Sequence, residues 1–182
     1  MAISVFARGV AVMNKRFAVA AFMLITSAFQ VGGAAEGLPK ELKIAVTQLS
    51  MSLTDGHAVF YPENITIAEF TSSPWKKAKA GAVVLFYMGG WGGGNTNTQI
   101  LTVFAKNEGK VGKRMPQSYR VVAFVEAGEK GRRFVELRGV KNGVITLANH
   151  EYADADPLCC PSRETTIQFT LDETGLKEIA TK

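Results

Sequence analysis

The sequence predicts a mainly β protein, with an antiparallel sheet or sandwich of about nine strands and little helix. Short runs of β-branched and aromatic residues recur along the chain, separated by turn residues about every 8 to 12 positions. Asp55-Gly56 and Asn142-Gly143 are typical of hairpin turns, because glycine accepts a positive φ. Only residues 39–46 show any helical periodicity, which leaves an α+β fold as the alternative.

Residues 1–35 have the pattern of a secretory signal peptide. Two basic residues precede an apolar stretch, Phe17 to Phe29, and small residues follow as far as Ala35. The apolar stretch is shorter than the roughly 20 residues of a transmembrane helix. A buried or transmembrane amino-terminal helix is the alternative. We therefore expect a signal peptide over 1–35 and a single β-rich extracytoplasmic domain over 36–182, without a transmembrane segment after cleavage.

The charge balance of the remaining chain argues against a nucleic acid partner. Three of the 21 basic residues and none of the 16 acidic residues lie in residues 1–35, so removing this segment lowers the net charge from +5 to +2. Basic residues cluster only at 76–79 and 130–133, which we interpret as solvated turns. The predicted location is the periplasm or the extracellular space, where disulfides persist.

Strands are predicted throughout the domain. Leu49, Met51 and Leu53 alternate with polar residues, which predicts a half-buried strand that the Asp55-Gly56 turn joins to the first of the strands that follow. Further strands are predicted over Ala58–Tyr61, Ile65–Phe70, Ala82–Met88, Gln99–Ala105, Tyr119–Ala127, Phe134–Arg138, Val144–Ala148 and Thr165–Leu171. The third of these is continuously apolar, which indicates a central strand buried on both faces. The tail, 172–179, is either a short helix or a last edge strand.

A glycine-rich loop at residues 89–94 follows the apolar strand. A phosphate-binding loop requires a helix after the glycines, whereas a strand is predicted here and no Gly-Lys-Ser/Thr motif is present. The loop is therefore predicted to be a hairpin tip. Trp91 in its middle is either a group that stacks on a ligand or anchors a partner, or a residue that folds back over the core.

The sequence lacks a recognisable catalytic constellation. Its two histidines are His57 and His150, and neither a Gly-x-Ser-x-Gly elbow nor a His-Glu-x-x-His motif occurs. We therefore expect a protein that is not an enzyme and that has no cofactor.

The segment 150–162 holds both cysteines, one histidine and three carboxylates. Pro157 and Pro161 restrict the residues before them to extended conformations, so the loop is predicted to be pinned. One interpretation is a vicinal disulfide between Cys159 and Cys160. Adjacent Cα atoms lie about 3.8 Å apart, whereas ordinary disulfides prefer roughly 4.4–6.8 Å, so such a bond would be strained and easily reduced.

Two other interpretations of this segment remain open. The cysteines could be free or externally paired thiols, with their side chains on opposite faces of an extended chain. They could also join His150, and Asp154 or Asp156, in a copper or zinc site, although adjacent cysteines depart from the Cys-x₂-Cys spacing of structural zinc.

The segment resembles the Asp-Pro-Met-Cys-Cys-Pro-Thr motif of a group of secreted bacterial and archaeal proteins and lipoproteins of uncharacterised function. Asp156-Pro157 and Cys159–Pro161 match this motif, with Leu158 and Ser162 as replacements. That group often carries an Asp-rich stretch, suggestive of calcium binding, before the apolar strand. Lysines stand at the corresponding residues 73–81, so calcium binding is not implied for this chain. The resemblance implies location and fold more than activity.

Together these features predict an exported cell-envelope protein that acts as a non-catalytic binding or structural module. Its expected partner is an envelope protein or a small ligand. The alternative is a thiol-redox or metal-handling protein centred on the Cys-Cys loop. A third interpretation is an inhibitor-like protein that presents this loop to an extracytoplasmic enzyme.

Overall fold

A computed structural model describes residues 32–33, 38–107, 118–157 and 159–179. Its elements in chain order are β1 (Gly32–Gly33), α1 (Lys40–Leu53), β2 (Val59–Phe70), β3 (Gly81–Gly89), a 3₁₀ turn (Trp91–Gly93), β4 (Asn97–Asn107), β5 (Ser118–Glu129), β6 (Arg133–Lys141), β7 (Val144–Glu151), β8 (Arg163–Leu171) and β9 (Leu176–Ile179). The prediction of a mainly β, antiparallel protein is confirmed. The predicted signal peptide lies outside the described residues except for β1.

The strands form one antiparallel sheet in which each strand pairs with its neighbours in sequence. β5 and β6 pair only through Glu129 and Arg133. At this point the sheet folds over into two layers, β1–β5 and β6–β9, which share one hydrophobic core. The Gln99 amide on β4 joins the layers, because its Nε2 donates to the Val135 carbonyl and its Oε1 accepts the Val135 N–H, each at 2.7 Å.

The core between the layers, here called the sandwich core, draws residues from both. From the first layer it takes Val83, Leu85, Leu101 and Val103, and from the second Val135, Leu137, Ile145, Leu147, Ile167 and Phe169. All of them are buried, so the two layers hold each other by removing apolar surface from water.

A second core, here called the helix-side core, lies on the other face of the first layer. Leu42, Val46 and Leu49 follow helical spacing and are buried on one side of α1. They pack against β3 and β4 side chains that include Phe86 and Phe104. β3 and β4, at the centre of the first layer, are therefore covered on both faces.

The strand predicted at Leu49, Met51 and Leu53 is wrong, because these residues form the last turns of α1. Leu49 and Leu53 continue the helical spacing that starts at Leu42, whereas Met51 lies 70% exposed on the opposite side of the helix. The Asp55-Gly56 turn consequently joins a helix to a strand and is not a hairpin.

Other sequence predictions agree with the structure more closely. β3 is buried on both faces, as predicted for Ala82–Met88. Asn142 and Gly143 have φ values of 51° and 76° in the β6–β7 hairpin. The two runs predicted as separate strands before β3 form the single strand β2, with a register shift between Tyr61 and Thr66. The tail forms an edge strand, β9.

Within the residues that the structure describes, no helix combines the length and apolar character needed to span a bilayer.

Candidate functional site

Three loops meet at one end of the sandwich, which we call the loop end. They are the glycine-rich loop 90–96, the β5–β6 turn 130–132 and the Cys loop 152–162. Glu129 pairs with both Thr98 of β4 and Arg133 of β6, and Arg133 pairs with Glu151 of β7. Because these pairings tie the strand ends together, the loops that follow them emerge on the same side of the molecule.

The Cys loop carries a disulfide between Cys159 and Cys160, whose Cα atoms lie 3.8 Å apart. Both residues are exposed. No free cysteine occurs among the described residues. The structure therefore shows the vicinal disulfide, the first of the three interpretations of this segment.

The Asp156 carboxylate ties the two ends of the Cys loop together. Its Oδ2 accepts the backbone N–H of Ala153 at 2.7 Å and that of Ser162 at 2.8 Å. A backbone hydrogen bond of 3.0 Å from Cys160 to Pro157 closes a turn between them. The two N–H donors to its carboxylate lower the pKa of Asp156, because they stabilise its charged form. The loop is thus pinned by a carboxylate as well as by its prolines.

A cleft of about 170 Å³ opens at the loop end. Its lining includes Tyr87, Gln99, Glu129, Arg133, Phe134 and Tyr152. The rings of Tyr87 and Phe134 lie 5.9 Å apart, and Tyr152 is the first residue of the Cys loop. The cleft is smaller than the roughly 300–1,000 Å³ of pockets that enclose small molecules, so it suits one side chain or one terminal group of a larger partner.

The polar side chains of this cleft are held in place. Arg133 donates from Nε to the Ala127 carbonyl at 2.7 Å and from Nη2 to Glu178 at 3.0 Å. Burial, helped by the charge of Glu136, raises the pKa of Tyr87 well above its ordinary value. The Tyr87 phenol, protonated at neutral pH like any tyrosine, thus keeps its proton to a more alkaline pH than usual.

His150 lies on β7 next to the Cys loop. Its Nε2 is 3.8 Å from Oε1 of Glu136, and its ring centre is 6.1 Å from that of Phe134. The part of the chain that the structure covers contains no group of three or more His, Cys, Asp and Glu side chains arranged to hold a metal ion. The metal alternative built on His150, Cys159 and Cys160 thus has no supporting geometry among these residues.

Trp91 begins the 3₁₀ turn of the glycine-rich loop. Its side chain is half-buried against the helix-side core, which is the second of the two alternatives for this residue. Gly90 and Gly92 have φ values of 79° and 61°, which glycine adopts without steric cost. A role for Trp91 in binding stays a prediction.

Asp55 anchors the same loop from the α1–β2 turn. Its Oδ2 accepts the Gly92 N–H at 2.7 Å, and its Oδ1 accepts those of His57 and Ala58 at 2.9 Å each. These three donors, of which Gly92 has the largest effect, lower the pKa of Asp55 to about 2. The carboxylate thus fixes the glycine-rich loop to the end of the helix.

Four residues of the cleft were not expected from the sequence to belong to a site: Tyr87, Gln99, Phe134 and Tyr152. Tyr87 and Gln99 pair across the hairpin that carries the glycine-rich loop. The sequence does contain a signal for these two residues, because each is a polar or aromatic residue near the loop end of an otherwise apolar strand. The position of Phe134 depends on the crossing of β6 over the first layer, for which the sequence offers no local signal.

The loop end combines an exposed disulfide, in a loop that Asp156 pins, with a small cleft lined by aromatic side chains. Comparisons with known proteins found no matching family model, no matching curated protein and no matching solved structure.

Proposed function

We propose that this chain is an exported cell-envelope binding module, periplasmic or secreted, which presents its Cys loop to a partner without catalysing a reaction. The exposed disulfide in a loop that Asp156 pins at both ends is the observation that carries the proposal. A loop that is already ordered loses little conformational entropy when a partner binds, so it favours recognition.

The cleft beside the Cys loop supports the same function. Aromatic side chains and arginine are enriched among the residues that anchor protein–protein interfaces. Tyr87, Phe134, Tyr152 and Arg133 provide both types at one site. Its small volume fits a protruding side chain of an envelope protein better than an enclosed metabolite.

The basic, apolar and small-residue order of residues 1–35 supports export, as does the resemblance of the Cys-Cys motif to secreted proteins and lipoproteins.

A photocrosslinking experiment tests the binding function. A photoreactive phenylalanine analogue replaces Tyr152 in one variant and Lys79, an exposed residue at the other end of the sandwich, in a control variant. We expect a discrete crosslinked partner in the cell envelope from position 152 but not from position 79. The crosslink should disappear when Cys159→Ser and Cys160→Ser are added. Equal crosslinking from both positions, or none from either, would refute the proposal.

A thiol-redox function is the second candidate, favoured by the exposure of both members of the only cysteine pair in the chain. A dithiol reductant would attack one sulfur, the protein would gain two thiols, and the reductant would become a disulfide. Intact mass after brief treatment of the folded protein with dithiothreitol and an alkylating agent checks this. Two added alkyl groups would support the candidate, and an unmodified mass would eliminate it.

A further inference from the structure

A second and larger cleft, of about 400 Å³, lies at the opposite end of the sandwich from the loop end. It is formed by the β2–β3 connection around Trp75, the Asn142-Gly143 turn and the β8–β9 turn at 172–175. Its volume lies within the range of about 300–1,000 Å³ that is usual for small-molecule sites.

The apolar lining of this cleft is preformed. Trp75 is 4% exposed, donates from Nε1 to the Gly143 carbonyl at 2.9 Å and meets the Phe70 ring edge-on at 5.2 Å. A Cβ at Gly143 would lie 2.6 Å from Cγ of Pro74, so the turn and the β2–β3 connection can approach this closely only with glycine there. Val144 and Leu171 complete the apolar surface, which therefore does not depend on a ligand for its shape.

The acidic groups at the rim are already compensated. Asp172 pairs with Lys177 at 2.7 Å, and this contact, with hydrogen bonds from Thr174, keeps the pKa of Asp172 far below its ordinary value. Glu173 pairs with Lys76 at 3.4 Å. Neither carboxylate therefore contributes an uncompensated negative charge to the cleft.

Two lysines, Lys76 and Lys77, and two carboxylates, Asp172 and Glu173, line the cleft, and the neighbouring Lys177 and Arg120 give its surroundings a positive excess. Lys77 donates from Nζ to the backbone carbonyl of Glu173 at 2.6 Å, a neutral acceptor, and it forms no ion pair with a carboxylate among the described residues. Arg120 donates to the Lys77 carbonyl at 2.7 Å, which adds a second cation beside it. The side chains of Lys76 and Glu173 are both more than 80% exposed, and ion pairs this open to solvent contribute little to stability. An incoming anion can therefore share Lys76 with Glu173 at small cost, because the ammonium group carries three hydrogen-bond donors.

We propose that this cleft binds a small amphipathic anion, with its acidic group between Lys76 and Lys77 and its apolar body against Trp75 and Leu171. Of the basic run 76–79, Lys76 and Lys77 thus hold the anion, whereas Lys79 lies outside the cleft. This inference is independent of the Cys loop, because the two clefts lie at opposite ends of the sandwich.

Fluorescence of Trp75 tests the site directly. The chain has two tryptophans, so Trp91→Phe leaves Trp75 as the only one. In this background we titrate anilinonaphthalene sulfonate, an apolar anion, and follow energy transfer from Trp75 to the bound dye. We expect saturable binding with one dye per chain.

Charge-reversal variants show whether the lysines hold the anion. Lys76→Glu with Lys77→Glu should weaken dye binding about tenfold or more, because charge-assisted contacts are lost. Lys79→Glu makes the same type of change in the same connection outside the cleft, and should stay within about twofold of the parent. Circular dichroism of each variant verifies that the sheet is intact. Equal affinities for the double variant and Lys79→Glu would overturn the proposal, as would the absence of energy transfer.

Competition identifies the source of the anion. Decanoate should displace the dye if the cleft takes a free amphipathic acid. Displacement by phosphatidylglycerol vesicles without displacement by decanoate would instead indicate a membrane surface and would contradict the proposal.

Discussion

Gln99 is 3% exposed, and both polar atoms of its amide are used. They satisfy the N–H and the carbonyl of Val135 on β6. β6 pairs with β5 at one residue only, and the Gln99 amide supplies Val135 with the two hydrogen bonds that a paired strand would otherwise provide. A Cβ on Gly128 would collide with this amide, which explains the glycine at that position of β5.

Replacing Gln99 by methionine should destabilise the protein. The change keeps the side-chain length but leaves two buried backbone groups of Val135 without partners, which costs about 2–4 kcal/mol. Urea unfolding measures the loss, and Gln48→Met on the exposed face of α1 is the matched control. Equal unfolding midpoints for the two variants would show that the Gln99 amide does not join the layers.

Asp55 should titrate near pH 2 in the folded protein. Its pKa is lowered from 3.8 to about 2, so the stability that its three hydrogen bonds contribute is present above pH 3.8 and is lost as the pH falls towards 2. Carbon NMR of the side-chain carboxyl measures the titration midpoint, with the urea-unfolded protein as the reference. A folded-state midpoint near 3.8 would mean that the carboxylate does not hold the glycine-rich loop.

At the scale of elements, α1 is the one substantial departure from the sequence prediction. Leu49, Met51 and Leu53 satisfy strand alternation over five residues, but Leu42, Val46, Leu49 and Leu53 satisfy helical spacing over twelve. The longer pattern agrees with the observed burial, because Met51 is exposed and Leu42 is fully buried. Short alternations are ambiguous in this way whenever an amphipathic helix ends in them.

Substitutions in α1 should follow helical rather than strand periodicity. Leu42→Ala removes a fully buried side chain and should cost about 2–5 kcal/mol, whereas Met51→Ala should change the stability by about 0.5 kcal/mol or less. Chemical denaturation of both variants measures the difference. A large loss for Met51→Ala with none for Leu42→Ala would restore the strand interpretation.

The β-strands were predictable because their signals are local. Continuous apolar residues marked β3, and Asn142-Gly143 marked the β6–β7 hairpin. The two clefts were not predictable, since each forms only where distant segments meet. The loop-end cleft depends on the fold of the sheet at Glu129 and Arg133, which are joined by a short turn that resembles any other hairpin in sequence.

At the scale of the whole molecule, the disulfide contributes to a loop rather than to the fold. Cys159 and Cys160 are adjacent, so their bond encloses no intervening residues and removes little entropy from the unfolded chain. Both hydrophobic cores are formed by other residues.

The double variant Cys159→Ser, Cys160→Ser should therefore unfold within about 1 kcal/mol of the wild type. Calorimetry or urea unfolding checks this, and the same preparation serves for the crosslinking experiment, where a loss of binding is expected. If the free energy of unfolding fell by about 3 kcal/mol or more, the disulfide would stabilise the fold, and a loss of crosslinking in this variant could no longer be attributed to recognition.

The order of strands in the sheet also has a consequence for how the chain acquires its structure. Each described strand pairs with its neighbour in sequence, so no strand pairing waits for a segment far along the chain. Among the described residues, the helix-side core draws on those between Leu38 and Tyr119, whereas the sandwich core needs residues as far as Leu176. A polypeptide that emerges amino-terminus first, from a ribosome or a translocation channel, can thus condense its first layer and helix before the second layer arrives to close over them.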